Sequence, residues 1–580
     1  MQPYGDLQTR AAVPRGAEAI APRFFTCWVW DCGVITPMRK DPKPSPTESP
    51  LLFDIDPEPI EETLTALGGI PLVVQAFRSL GLPQSVKEHV GVKERERGYD
   101  EATFVESFVV LNAAGGECPE DFKRLRADPG LAEMIGHELP SPAAALQFLY
   151  AFHADEKILE AQQRRLPEQS AYIPEETRPL EGLGRVNRDL VQRCGERCPD
   201  QRIATVDQDA TIIESHKQQA LPTYEGVRGY QPMLAVWAET GLVLADQFRD
   251  GNVPAQMEPL EVAQRGFAAL PSTVNEYYYR GDSACHESHL VNWLREEQRQ
   301  GGPRGRIGFA ISARLSEALH AAIQAVPEAA WEAYGEPHLA ETRECAEVPF
   351  VPREKTEKKD VQPLRYVAIR IRKQQGELFE DGSRVRHFAV LSNLWEWKAV
   401  RLIEWHRQKA GTIELVHDVI KNELGGGVLP SKYFGANAAW LRLAVIAHNV
   451  LAALKRLALP PELLTARPKR LRFLLFNTPG RLVHHARSLL LRLAALTEWI
   501  TAYRQGLRLL PLPAGTPRSP LSKDSKPPIR IPASRILFHL RITTYRKYTI
   551  LESLDAPSKP CLRQLPSHRL PPDLPQIRSA

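Results

Sequence analysis

Cysteine is scarce in this chain, with eight among 580 residues, scattered and mostly lone. That excludes a disulfide-stapled scaffold and leads us to expect a reducing compartment. The closest pairs are Cys27/Cys32 and Cys194/Cys198. The second, in "RCGERC", has a spacing that suits half a zinc site, but no second ligand pair lies nearby, so two free thiols in a loop are expected. No run of eighteen or more apolar residues appears, so no segment reads as a membrane span. The start, "MQPYGDLQTRAAVPRGAEAIAPRFF", lacks the long apolar centre of a secretory signal. A dominant charge is missing too: 74 Lys and Arg face 70 Asp and Glu, a net +4. Such a balance does not by itself imply nucleic acid, so the distribution of charge has to decide. Internal repeats are absent, which excludes a solenoid.

What is present is globular in character, with 43% hydrophobic and 25% charged residues. The length suits roughly two to four domains. The 49 prolines gather at the ends. Residues 1–54 read as a flexible leader, with Met38 a candidate true start, and 511–580 as a Pro-rich, mostly disordered tail with a short ordered piece at "RILFHLRITTYRKYTI". Residues 55–170 carry helical periodicity. "PIEETLTALGGIPLVVQAFRSLGL" reads as one helical stretch broken at Gly-Gly-Ile-Pro. "YDEATFVESFVVLNAAGG" ends at glycines suited to a helix C-terminus. "SPAAALQFLYAFH" offers Ser141 as N-cap and Pro142 as first helical residue. This reads as an all-helical N-terminal domain, either DNA-binding or purely a packing module.

From residue 200 the pattern switches to α/β. "RIATVDQDAT", "YQPMLAVWAE", "GLVLADQF", "EYYYRGDSAC" and "RIGFAISA" read as strands, with helices at "AQMEPLEVAQRGFAAL" and "HESHLVNWLREEQ". The order predicts a mixed sheet. "QPLRYVAIRIRK" and "SRVRHFAVLSN" add strand-like runs within 331–394, and a long helix is predicted from about 397 through "EWKAVRLIEWHRQKAGTIELVHDVIKNEL".

Three acids stand out in that frame. Asp207 and Asp209 interrupt the end of an apolar strand and, two apart, face one side, where they repel. Asp282 ends another strand, flanked by Arg280 and Ser283. In the long helix Arg407, Glu414, Asp418 and Lys421 share a face, and His417 lies one turn from Glu414. Gathered carboxylates repel unless a cation joins them, and hard divalent ions take carboxylate oxygens. Two such ions about 3.5–4 Å apart serve phosphoryl transfer. The strand interruption is therefore read as one wall of a metal site.

Together, "DQDAT", "YYYRGDSAC" and "KAGTIELVHDVIKNEL" resemble the three acidic motifs of bacterial insertion-sequence DDE transposases. "FGANAAWLRLAVIAHNVLAALKR" and "LNAAGGECPEDFKRLRADPG" also look like segments of that family, so the resemblance runs over about 55–505. Its group with a Tyr-x2-Arg-x3-Glu-x6-Lys helix is matched by Glu414 and Lys421. The upstream half departs, with Arg407 and Ala410 at the Tyr and Arg positions and His406 and Lys409 as shifted substitutes. The resemblance implies an RNase H-like mixed-sheet core at 200–330 and 395–455, with a β-rich inserted subdomain at 331–394. It implies Asp209, Asp282 and Glu414 as catalytic acids holding two Mg²⁺ or Mn²⁺. Asp209-Ala210-Thr211 fits the family's Asp-x-Thr and is favoured as the first ligand over the alternative, Asp207, which is otherwise an accessory metal ligand or a supporting group. Implied partners are double-stranded DNA, as inverted-repeat ends and target, and a second copy of the chain, in the bacterial cytoplasm at the nucleoid. Residues 456–510 read as basic amphipathic helices, densest in charge at Lys469, Arg470 and Arg472. With Arg407 and Lys421 these are the candidate DNA contacts. A nuclease without strand transfer, or a decayed copy that only binds DNA, also fits the residues.

Overall fold

The computed structural model describes residues 61–93, 98–335, 340–352, 363–373, 378–486 and 488–512, with short pieces at 55–56, 58 and 539–540. The leader with Met38 and nearly all of the C-terminal tail lie outside the described residues. The chain divides into two compact units. In the first, comprising 1–60 and 534–580, Ile55–Asp56 pairs antiparallel with His539–Leu540. Everything that follows concerns the second, 61–533.

Its centre is a nine-stranded sheet. The strands are β1 (Ile203–Ala210), β2 (Met233–Trp237), β3 (Leu242–Gln247), β4 (Glu276–Gly281), β5 (Ile307–Ala313), β6 (Glu332–Ala333), β7 (Glu341–Val348), β8 (Arg365–Lys373) and β9 (Val385–Ser392). They lie in the order β6-β7-β8-β9-β5-β4-β1-β2-β3. β1, β2 and β3 are antiparallel neighbours, and β4 and β5 run parallel to β1. β9 joins β5 antiparallel, and β8, β7 and β6 continue from it. The strands within 331–394 therefore form no separate subdomain: they lengthen the core sheet. Pairing to the free edge of β5 satisfies backbone groups that an isolated insertion would leave open.

β2 and β3 are buried throughout, β2 as its unbroken apolar run suggests and β3 together with its polar end, Asp246 and Gln247. Val206 and Ala235 face the helix Pro259–Ala269, where a Cβ on Gly266 would meet Ala235 Cβ at 3.1 Å, so glycine permits that close approach. Asp207 and Asp209 face the other way, toward the helices that follow β9.

Among the helices of the described residues are α1 (Glu101–Ala114), α2 (Arg178–Glu196), α3 (Pro259–Ala269), α4 (Ser288–Arg295), α5 (Ala399–Arg407), α6 (Ile413–Glu423) and α7 (Phe434–Ala458). Local chemistry sets several boundaries. Asp100 caps α1 by accepting from Thr103 N at 2.8 Å, and Gly115 closes it at φ +95°. Ser141 caps Pro142–Tyr150, accepting from Ala144 N at 3.2 Å. α7 is long and apolar enough to cross a membrane by composition, yet 94% of that stretch is buried, packed on α1, α2 and β3. α1 is buried on almost every face. The N-terminal helices thus share one hydrophobic core with the sheet and α7 and do not form a separate module. Cys194 and Cys198 are free thiols near the end of α2.

Three further expectations are corrected. Helix Pro71–Ser79 begins only at the proline of Gly-Gly-Ile-Pro; upstream, Leu64–Thr65 is a strand paired with Gly480–Arg481. The long helix from 397 is two, since α5 ends at Arg407 and a 3-10 turn, Gln408–Gly411, redirects the chain before α6. Within 456–510 the basic helix pair is replaced by short turns at Pro468–Phe476, an antiparallel hairpin, Gly480–His485 with Ser488–Leu493, and one helix, Thr497–Leu509.

Candidate active site

The carboxyl ends of β1 and β4 lie side by side, with Asp207 in register with Arg280. Arg280 donates to both Asp207 oxygens, at 2.6 and 2.8 Å, and Thr412 Oγ1 donates to Oδ2. Asp207 is fully buried. Burial raises its pKa, and Arg280 and Thr412 oppose that. With both oxygens bonded to Arg280 and Thr412, Asp207 is the anchor of Arg280, the supporting role that the sequence left open beside that of an accessory metal ligand. Arg280 in turn donates to Trp405 O at 2.7 Å and stacks over the Trp405 ring. It therefore orients Asp207 and the end of α5.

Asp209 is open to the groove and accepts from Lys409 Nζ at 2.6 Å. Asp282 follows β4 directly. A Cβ on Gly281 would meet Cys285 Cβ at 2.5 Å, so glycine allows the tight turn. The Asp282 carboxylate caps that turn by accepting from Ala284 N at 3.0 Å. Its pKa is raised, first by burial and then by the charge of Asp209, while Lys409 pulls it down. Burial disfavours the Lys409 ammonium, but Asp209 and then Asp282 outweigh it, and its pKa is raised. Two carboxylates are thus gathered around one buried cation, as their like charge requires.

The turn between α5 and α6 is held to these strand ends at successive points. His406 Nε2 donates to Gly281 O at 3.0 Å; burial holds this imidazole neutral, with a pKa near 4. Lys409 and Thr412 reach Asp209 and Asp207. α6 then presents Glu414 in its first turn, on an open groove of about 670 Å³ whose walls also include Asp209, Tyr224, Glu225, His417, Asp418 and Lys421. Among the described residues no three His, Cys, Asp or Glu side chains stand close enough to bind one metal ion. Asp209 and Asp282 are brought together, and Glu414 shares the groove without joining them. Lys421 donates to Ile212 O at 2.7 Å and to Thr211 Oγ1 at 3.3 Å, tying α6 to the chain beyond β1. Burial lowers its pKa, against Asp418 and Glu225. His417 is buried, its Nε2 without a hydrogen-bond partner, and burial lowers its pKa to about 4.

The remaining candidates separate. Arg407, on the far side of the 3-10 turn from Glu414, donates to Tyr334 Oη at 2.9 Å. Arg472 points inward to Ala113 O and Asn112 O, at 2.9 and 2.8 Å, and to Glu423 O. Arg472 is corrected from a DNA contact to a structural tie, because its guanidinium is spent on protein carbonyls, whereas Arg407 is exposed and keeps donors beyond its bond to Tyr334. Lys469 and Arg470 are exposed. They stand next to Arg467, which bonds Glu423 at 2.5 Å and Asp418 on the groove wall. Sequence reading missed Thr412 and Tyr224. Thr412 carried no signal, and Tyr224 only that of an aromatic ring in a glycine-containing turn.

The sequence profile of the family described as Transposase DDE domain group 1 matches residues 61–513. No curated protein matches the chain significantly. Among solved structures, the chain is similar to a piggyBac transposase synaptic complex with hairpin DNA, at 12% identity and a TM-score of 0.36, over 67% of this chain and 75% of that one. Enzymes of the matched family work on DNA with divalent metal ions. With 61–513 covered, this chain belongs to the group 1 DDE-domain transposases and is a DNA transposase.

Proposed function

We propose that this transposase binds the terminal inverted repeats of an insertion sequence, nicks them, and joins the freed 3′-hydroxyl to target DNA, with Asp209, Asp282 and Glu414 as its catalytic acids. The observation that carries this reading is the pairing of Asp209 with Asp282 around Lys409, at adjacent strand ends that open on the Glu414 groove. The order β3-β2-β1-β4-β5, three antiparallel strands followed by two parallel ones, supports an RNase H-like core.

The donor set suits Mg²⁺ or Mn²⁺. It is all oxygen, and the groove walls carry Asp209, Glu214, Glu225, Glu414 and Asp418 against Lys421. A phosphate enters so acidic a groove only when cations neutralise it. Asp209 and Asp282 would hold the metal, and Glu414 would complete the set for two ions. Bound there, the metal supplies an activated water or hydroxyl and charge stabilisation on the leaving oxygen. The chain supplies the rest. Arg280 and Thr412 hold the end of β1 rigid through Asp207. His406 and Lys409 seat the turn that aims α6. Lys421 keeps one ammonium N–H beyond its two protein bonds for a phosphate oxygen. Concerted action on two ends calls for a homodimer on DNA.

The test is cleavage of DNA carrying the flanking sequence of the protein's own gene, with Mg²⁺ and with EDTA. Site-specific nicking that needs Mg²⁺ and disappears in Asp282→Ala is expected, together with a joined product. Specific binding without cleavage would overturn the catalytic assignment, and nicking without joining would reduce it to a nuclease.

A further inference from the structure

Tyr224 stands on the mouth of this groove with its side chain 77% exposed, the largest exposure among the large apolar and aromatic side chains of the core sheet's loops. Single exposed rings are ordinary on protein surfaces. This one differs in what holds it. It sits at the tip of a small antiparallel sheet made by Ile213–Glu214, Leu221–Pro222 and Arg228–Tyr230, which grows directly out of β1 beyond Asp209. Thr223 N and Oγ1 both donate to Val227 O, at 2.7 and 2.9 Å, and Gly226 at φ +83° donates to Thr223 O at 3.0 Å. The Arg228 guanidinium ties the hairpin to Ala220 O and Gln218 O, at 2.9 and 2.5 Å. Below, Tyr230 is buried and stacked on Phe248 at 4.9 Å. A well-braced turn thus carries a ring that packs on no other ring among the described residues.

The neighbours of that ring say what it is suited to. Its phenol is shifted upward, by burial first, then by Glu225, and also by the charges of Asp209 and Asp282, so the ring lies within electrostatic reach of both acids. An upward shift makes the hydroxyl a poor nucleophile. The wall beside it is acidic, with Glu225, Glu214 and Glu414, and repels phosphate. A DNA strand therefore gains little from charge on this side. A π-face is the contact available there that carries no charge penalty, and stacking on an aromatic ring accepts any base.

We propose that Tyr224 is a base-stacking platform that takes an unpaired nucleobase of the strand entering the groove beside Asp209 and Asp282, and so fixes the substrate strand there. This rests on the reading of the groove given above. It assigns the role to the ring and leaves the hydroxyl without one.

The probe is an oligonucleotide duplex carrying the flanking sequence of the protein's own gene, frayed at the end and labelled with 2-aminopurine at successive unpaired positions. Binding is read by anisotropy and by 2-aminopurine quenching with Ca²⁺ in place of Mg²⁺, so that the groove's carboxylates are neutralised, using the full chain, Tyr224→Phe and Tyr224→Ala. The wild type and Tyr224→Phe should quench one labelled position. Tyr224→Ala should lose that quenching and bind about tenfold more weakly. Substitution at so exposed a tip leaves the core untouched. Equal quenching and affinity in Tyr224→Ala would overturn the platform, as would a loss shared by Tyr224→Phe. The same proteins are then given Mg²⁺. Nicking by the wild type with no Tyr224→Ala effect on quenching removes the platform and leaves the catalytic reading intact. Failure of the wild type to nick, with the quenching difference present, removes the catalytic reading and retains Tyr224 as a DNA contact.

Discussion

Two groups of carboxylates gather at the core sheet and are neutralised by different cations. At β3, Arg442 of α7 donates to both Asp246 oxygens at 3.0 Å and to Glu176 at 2.7 and 3.0 Å. It also donates to Leu180 O and Asp246 O, at 2.8 and 2.9 Å. A planar guanidinium has five N–H donors in a fixed fork, and here they are spent on oxygens that join β3, α7 and the start of α2. At the ends of β1 and β4, Asp209 and Asp282 share the single ammonium of Lys409, on a flexible four-carbon stem. Asp207, between the two arrangements, is held by Arg280 in the first manner. Where charge serves the fold, the chain uses a saturated arginine fork. Where charge is to be exchanged for a metal and a phosphate, it leaves carboxylates with a cation that can move.

The sharpest way to break this comparison is to delete acids from each group. Asp209→Ala, Asp282→Ala or Glu414→Ala should cut strand nicking per folded molecule by about 10³-fold or more while DNA binding stays close to wild type. Retained nicking in Glu414→Ala would remove it from the site. Arg442→Met should do the reverse. Leaving Asp246 and Glu176 buried without their partner should cost about 3–5 kcal/mol in urea unfolding. Nicking per folded molecule below the transition should be unchanged. A variant as stable as wild type would show that the fork is not structural.

Acid should distinguish the groups next. Burial alone would raise Glu176, but the charges and hydrogen bonds of Arg442 and Arg265 hold its pKa at about 2, below the ordinary 4.5. A carboxylate with a lowered folded pKa stabilises above its unfolded value and loses that contribution as pH falls through the folded one. Unfolding between pH 4.5 and 2 should therefore show a loss of about 3 kcal/mol from this group, absent in Glu176→Gln. The acids of the groove should show a smaller effect of opposite sense. Asp282→Asn keeps the N-cap that accepts from Ala284 but removes a charge facing Asp209. Without metal, near pH 7, it should be more stable than wild type by about 1 kcal/mol. A destabilised variant would show that the pair does not repel.

The five strands that build the core were legible from their apolar and aromatic runs, and β1 and β4 also from the acids at their ends. The same alternation placed Asp207 and Asp209 on one face, although only their partners, Arg280 and Lys409, separate the buried one from the open one. The break at Gln408–Gly411 had a local signal, Gly411 followed by Thr412, but the apolar spacing on either side read continuously as helix. That continuity put Arg407 on the Glu414 face, from which the turn removes it. "GRLVHHARSLLLRL" supports a helical stripe as readily as a hairpin, and pairing of Gly480–Arg481 with Leu64–Thr65, far away in sequence, decides for strand. The lengthening of the sheet by β9, β8, β7 and β6 rests in the same way on an edge that β5 offers only once folded. Side-chain assignments failed for a related reason. An arginine in a basic run looks like a phosphate ligand until the fold turns it, like Arg472, onto backbone carbonyls.

That last distinction sets the smallest expected effect and extends the comparison to the protein surface. Lys469 and Arg470 are exposed next to Arg467, whose guanidinium is committed to Asp418 and Glu423, and near Arg472, which is committed to Ala113, Asn112 and Glu423. Of these four, only the two uncommitted cations can release counterions from DNA. The double variant Lys469→Ala, Arg470→Ala should lower the slope of log affinity against log salt by about two, uniformly across sequences. Its melting temperature should not move. Arg472→Ala should leave the slope unchanged and lower stability instead, since three carbonyls lose their donor. If Arg472→Ala reduced the salt slope and the double variant did not, cations bound to protein oxygens would be the ones that meet phosphate, and the division between fixed forks and free ammonium groups would fail at the surface as well as in the groove.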